Sequence, residues 1–219
     1  MSEALLPPRA KSKRERTREG LVAAAEELFA ARGPDAVSID EITAAAEVAK
    51  GTFYTHFADK DDIERAIVIA VRKELEAEVG RVNTGIEDAG VRMANGLATY
   101  LSFPVLQPVR ARTLVRLMAT GADPESAMNS GIRADVVLGV NSKRFDVVSI
   151  NAALVAAIGT CVGGVAYLAE TPKARAERFA ADLIATVLRG LGMKMVEAKK
   201  LAEAAAVSAF QRRKNDQSR

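Results

Sequence analysis

One cysteine, one histidine and no tryptophan occur in 219 residues. With Cys161 alone, no disulfide can close within the chain, which suits a reducing compartment, and a cysteine-built zinc site is excluded. A small buried apolar side chain is the ordinary role for such a residue. His56 has no second imidazole to work with, and no phosphate loop or metal-ligand spacing is present. The chain also lacks internal repeats, low-complexity linkers and sustained period-two alternation. No secretory leader is expected, because the start, MSEALLPPRAKSKRERTR, has no apolar core before its basic run. Nor is there a decisive charge excess. The formal net charge is +3, and residues 1–60 hold nine Lys/Arg against ten Asp/Glu. Positive charge gathers at the ends instead, in Arg9, Lys11, Lys13, Arg14, Arg16 and Arg18, and in the C-terminal QRRKNDQSR. Such ends are solvated tails, or a basic arm that contacts phosphates beside a DNA-binding module.

What is present is helical period nearly throughout. A first helix is expected over Thr17–Arg32, with Leu21, Ala24, Ala25, Leu28 and Phe29 on its apolar face and Gly33-Pro34 as its stop. Ser38 and Glu41 form a capping box opening a short second helix with Ile39, Ile42 and Ala46 inward. After a break near Glu47 and Val48, a third short helix is expected to run through Phe57. Asp59 caps a long fourth, about 59–82, bearing Ile63, Ala66, Ile67, Ala70 and Val71. Further helices are expected at 85–102, 105–120, 124–141, 146–170 and 173–191. Pro104, Pro108, Pro124 and Pro172 are placed at or near helix starts, and Gly192 at the end of the last. KKLAEAAAVSAFQRRK adds a final helix before a frayed tail.

The scarce aromatic and imidazole side chains concentrate in EVAKGTFYTHFADKDDIERAI, residues 47–67. Phe53 and Phe57 lie four apart, share a face and can pack on Leu28, Phe29 and Ile42. Lys50, Thr52, Thr55 and His56 fall on other faces, open to a partner. Three short helices with a tight break before the third describe a helix-turn-helix unit. Lysine can donate to guanine acceptors, and threonine can meet a thymine or adenine edge. Tyrosine and histidine donate to phosphate without reading sequence.

The string SIDEITAAAEVAKGTFYTHFADKDDI, preceded by REGLVAAAEELFAARG, resembles the DNA-binding domain of the tetracycline-repressor (TetR) family of bacterial transcription regulators. The resemblance covers about residues 14–64. It implies that the third helix enters the major groove, where Lys50, Gly51 and Thr52 touch base edges or nearby backbone. Tyr54, His56 and Lys60 would hold phosphates, with Ser38 near phosphate at its helix start and Ala49 and Thr55 alongside. Glu47 and Ala49 stand where many members carry glycine and serine. The alanine caps its helix poorly, at about 1 kcal/mol, and the glutamate adds negative charge near the phosphate path.

The uncharged stretch VVSINAALVAAIGTCVGGVAYLA, residues 147–169, is long enough to span a bilayer and holds Gly159 and Gly163 in a GxxxG arrangement. Its Ala, Gly and Val content, and Asn151 within it, fit a helix buried in a bundle or between subunits. The resemblance implies a homodimer through about 146–170 and 173–191, the second bearing Phe179, Leu183, Ile184, Val187 and Leu191. It also implies that the middle region encloses an inducer pocket, whose candidate lining is Met93, Leu97, Tyr100, Phe103, Leu106, Arg116, Leu117, Met118 and Met128. Arg112 and Arg116, four apart, could receive an anionic ligand, or could form a solvated face.

The expectation is therefore all-α. A helix-turn-helix domain at 14–64 is joined by a long helix to a helical ligand-binding and dimerisation domain at 65–210. Its partners would be a double-stranded DNA operator, a second copy and an unidentified small-molecule inducer, with no membrane, cofactor, metal or catalytic residue and a cytoplasmic location. The rival reading is a helical enzyme or carrier of small molecules whose N-terminal bundle is structural.

Overall fold

The computed structural model describes residues 12–118, 127–170 and 173–217, and among them ten α-helices and no strand. The chain divides into two compact units after Ile67.

In the first unit, α1 (Lys13–Arg32) begins four residues before the expected Thr17. Ser12 is the reason: its hydroxyl accepts from the Glu15 N–H while the Glu15 carboxylate accepts from the Ser12 N–H at 2.7 Å. Lys13, Arg14, Arg16 and Arg18 therefore belong to a helix, not to a tail, whereas Arg9 and Lys11 lie outside the described residues. Gly33, at φ 81°, ends α1 by donating to the Phe29 carbonyl. α2 (Ile39–Ala45) opens on the second capping box, and α3 (Lys50–Tyr54) follows. α3 stops at Tyr54, short of the expected Phe57, because the Thr55 and His56 N–H groups turn back to the carbonyls of Thr52 and Phe53. Leu21, Phe29, Ile42, Phe53, Phe57 and Ile63 are almost fully buried and form the core of the unit. Leu28 is half-buried.

α4 (Lys60–Val82) starts in the first unit, where Asp59 Oδ1 accepts from the Asp62 N–H, and ends in the second. There α5 (Ala89–Leu106) is central, packed against α6 (Pro108–Met118), α7 (Ser130–Asn141), α8 (Ile150–Glu170), α9 (Lys173–Gly190) and α10 (Met195–Gln217). Asp88 caps α5 through the Val91 N–H, which delays its start past the expected residue 85. Pro104 sits inside α5 near its C-terminal end, not at a helix start, while Pro108 does open α6. The segment expected as helix over 124–141 is, in its described part, a short 3-10 turn at Ala127–Asn129 followed by α7, and Pro124 and Pro172 lie outside the described residues.

The final helix expected at the C-terminus is present and begins before the expected segment, at Met195. α10 is a full packed helix, because Ala198, Ala202, Ala205, Ala206 and Ala209 lay a thin apolar stripe that fits closely against α5 and α9. Near its end Arg213 Nη2 donates to Glu78 of α4 at 2.5 Å. On α8 the close helix contact is made at Gly164, where a Cβ would collide with Leu101 and Leu183. Gly159 and Gly163 face open space.

Candidate nucleic-acid interface and interior cavity

α3 holds its side chains on two sides. Phe53 and Phe57 point into the core with ring centroids 5.5 Å apart, which pins the short helix despite Ala49 supplying no cap. On the other side Lys50, Gly51, Tyr54 and Thr55 are exposed, Tyr54 by 53%. Thr52 and His56 are half-buried, the His56 ring 6.5 Å from Phe57. Nothing stands within 4 Å of the position a Cβ would take at Gly51, so the backbone there is open to a close neighbour.

Several of these groups are already oriented. Lys50 Nζ lies 2.7 Å from Asp40 Oδ1 on α2, and that hydrogen bond and charge raise the lysine pKa. Lys60 donates to the Pro34 carbonyl at 2.9 Å, an attachment within the first unit that the sequence did not announce. Thr55 bonds back to Thr52 O at 2.7 Å. Ser38 is fully engaged with Glu41, whose pKa falls to about 2 because the Ser38 N–H and then the Arg32 guanidinium stabilise the carboxylate. Glu47 takes φ 54°, the left-handed backbone that favours glycine. The glycine of the resembling pattern thus has a geometric reason, which Glu47 meets under strain.

In the second unit a partly open cavity of about 580 Å³, mouth included, lies between α4, α5, α7 and α8. Val79, Met93, Leu97, Ile132, Ile158 and Val162 supply apolar wall. Its polar lining comes from Arg72, Glu76, Arg92, Tyr100, Asn129 and Asp135. Tyr100 Oη donates to Glu76 Oε1 at 2.6 Å, and Arg72 Nη2 donates to Asn129 Oδ1 at 2.7 Å. Arg92 Nε donates to Asp135 Oδ1 at 2.6 Å and its Nη1 reaches the carbonyls of Asn83 and Ile86. Burial, then the Glu76 charge, pushes the Tyr100 phenol up, so it stays a neutral donor. Burial also pushes the Cys161 thiol, on the same wall, up to about 12.

Of the candidate lining residues, Met93, Leu97 and Tyr100 border this cavity. Phe103 is buried elsewhere, its ring 6.0 Å from the Arg110 guanidinium. The side chains of Leu106, Arg116, Leu117, Met118 and Met128 lie outside the described residues. Arg112 is paired with Glu170 at 3.4 Å. Sequence reasoning missed Arg72, Glu76, Arg92, Asn129 and Asp135. The one local signal was Arg72 and Glu76 four apart on an otherwise apolar face of α4.

Residues 21–67 match the family described as bacterial regulatory proteins, tetR family. The transcriptional repressor DhaR of Mycobacterium sp. (strain GP1) is 32% identical over 85 residues, covering 39% of this chain and 41% of that protein. The chain spans less than half the length of the curated relatives it matches. The solved structure of RolR in complex with resorcinol is 25% identical, covers 87% of this chain and 94% of its own, and superposes with a TM-score of 0.60. A γ-butyrolactone receptor (ArpA-like protein), 22% identical with a TM-score of 0.60 and covering 90% of this chain and all of its own, shares the fold.

Proposed function

The chain belongs to the tetR family of bacterial regulatory proteins, and from that premise we propose that it is a sequence-specific DNA-binding repressor released by a small molecule, not a catalyst. The observation that carries this is the two-sided build of residues 50–57, α3 and the turn after it, with Phe53 and Phe57 anchored inside while Lys50, Gly51, Tyr54 and Thr55 stand outside. Lys50, Thr52 and Ala49 read base edges. Tyr54, Thr55, His56 and Lys60 hold phosphate, and Ser38 stands at a helix start where an anion is favoured. Lys50 reaches a base by exchanging the Asp40 carboxylate for a guanine acceptor.

The protein works as a homodimer in the cytoplasm. α8 is long and apolar enough to cross a membrane, but Leu154, Ala157, Ile158, Val165 and Leu168 bury one side of it. On its other side Val155, Gly159, Gly163 and Tyr167 are exposed, the composition of a close helix contact with a second copy. Two copies present two α3 helices to successive major grooves, about 34–36 Å apart. A molecule in the cavity favours the dimer geometry that loses this spacing, a population shift without change in the contact residues. That RolR is solved with resorcinol supports a small organic effector.

The test is capture of DNA from the genomic neighbourhood of the gene, followed by binding to the recovered site. Lys50→Ala and Thr52→Ala each cost roughly fivefold to a hundredfold in preference for that site. Tyr54→Phe and His56→Ala weaken binding to all sequences evenly. Unchanged operator affinity in four folded variants would remove the groove assignment.

A further inference from the structure

Resting on the reading of the cavity as the effector site, we propose that its ligand is a neutral, single-ring-sized molecule whose hydroxyl group donates to the Glu76 carboxylate. Three observations lead there. The charges on the wall balance in number, Arg72 and Arg92 against Glu76 and Asp135, and Arg92 is paired directly with Asp135 at 2.6 Å. An anionic ligand adds an unbalanced charge beside those carboxylates, and a cationic one beside the guanidiniums. The volume of about 580 Å³ includes the mouth, so the enclosed part suits one ring better than a drug-sized molecule.

The third observation is the state of Glu76. Its Oε1 accepts from Tyr100, which fixes the carboxylate. Its Oε2 stands beside Gly131, where a Cβ would come within 3.0 Å. A ligand that expels water from this carboxylate without replacing the donor leaves a charged acceptor unsatisfied, the costly outcome inside a protein. An ether, ester or lactone oxygen only accepts. A hydroxyl donates to the carboxylate and still keeps an acceptor of its own. Val79, Leu97, Ile158 and Val162 then cover the ring, and the neutral Cys161 thiol adds a soft contact. Glu76 and Arg72 both sit on α4, so the hydroxyl is sensed directly by the helix that continues from the first unit into the second.

Titration calorimetry on the full chain tests this with phenol, methoxybenzene and benzoate as probes. Phenol binds at least about tenfold tighter than methoxybenzene, which has the same ring and no donor, and benzoate gives no measurable binding. Glu76→Gln keeps the shape and the Tyr100 contact but removes the charge, and narrows the phenol-to-methoxybenzene ratio to below about threefold. Gly131→Ala crowds Oε2 without touching the charge and narrows the same ratio, so the result does not hang on one variant. Absence of phenol binding, equal binding of the three probes, or an unchanged ratio in both variants overturns the hydroxyl assignment. Gly96→Leu distinguishes that failure from failure of the cavity reading. Gly96 lines the cavity with 3.7 Å from its Cβ position to Val79, and a leucine there abolishes phenol and methoxybenzene binding together. Undiminished binding in Gly96→Leu shows that the probes sit elsewhere.

Discussion

In the first unit Lys50, Tyr54 and Thr55 stand in solvent around a core of phenylalanine, leucine and isoleucine. In the second, Arg72, Asn129 and Asp135 are buried around a cavity while alanines line the closest helix contacts. The same residue types are used in opposite senses. A polar group on the surface is solvated until a partner arrives, so it can be held loosely, as Lys50 is by Asp40. A polar group that loses water is costly when left unpaired, so the half-buried Arg92 has an ion-pair partner and two carbonyls besides. On the function proposed above, the outer site suits exchange of partners and the inner one selection among ligands.

The harshest way to break the comparison is Phe53→Ala. Removing the ring that anchors α3 costs about 3–5 kcal/mol, enough to unfold the first unit. Circular dichroism should then show a minor loss of helix at room temperature with the main thermal transition retained. Loss of all helicity together would mean that the two cores melt as one.

A second measurement probes how dry the inner site is. With the Cys161 thiol raised from 9.0 to about 12, the thiolate fraction at neutral pH is smaller by roughly three orders of magnitude. Iodoacetamide labelling of the folded protein at pH 8 should be slower than that of a cysteine peptide by a comparable factor, and should accelerate in denaturant. Labelling at the peptide rate would place the thiol in water.

The outer site also stores strain that can be released. Glu47→Gly frees the left-handed turn between α2 and α3 and should stabilise the protein by about 1 kcal/mol, read as an increase in the denaturation midpoint of the first unit. Glycine also has more unfolded-state freedom, which offsets part of the gain, so a net loss would show that the turn is not strained.

The smallest effect concerns acid. Glu41 has its folded-state pKa depressed from 4.5 to about 2. Its contribution is therefore complete above pH 4.5 and is lost as pH falls toward 2. Glu41→Gln should flatten the stability profile across that window and leave the slope above it unchanged, as followed by urea unfolding at stepped pH.

Much of the outer site was legible because its signals are local. Ser38 with Glu41 and Phe53 with Phe57 act within four residues, and the string from Lys50 through His56 within seven. The Ser12–Glu15 box escaped notice because a basic run masks it. The left-handed turn at Glu47 escaped notice because no side-chain pattern marks it. The inner site is assembled across long stretches of chain, with Arg72 meeting Asn129 and Arg92 meeting Asp135. Periodicity predicted the helices carrying these residues. It could not predict which polar residues would turn toward one another, since that depends on how the helices pack.

The bond from Arg213 to Glu78 joins residues 135 apart, and α10 packs on α5 and α9. This has a consequence for the chain during its own synthesis. The first compact unit is complete in sequence at Ile67, whereas the second cannot close its bundle until α10 has been made. At about 5–20 residues per second, the interval between the two events is on the order of ten seconds. Through that interval a ribosome holds out a completed first unit while the apolar faces of α5 and α9 that α10 will cover are still bare.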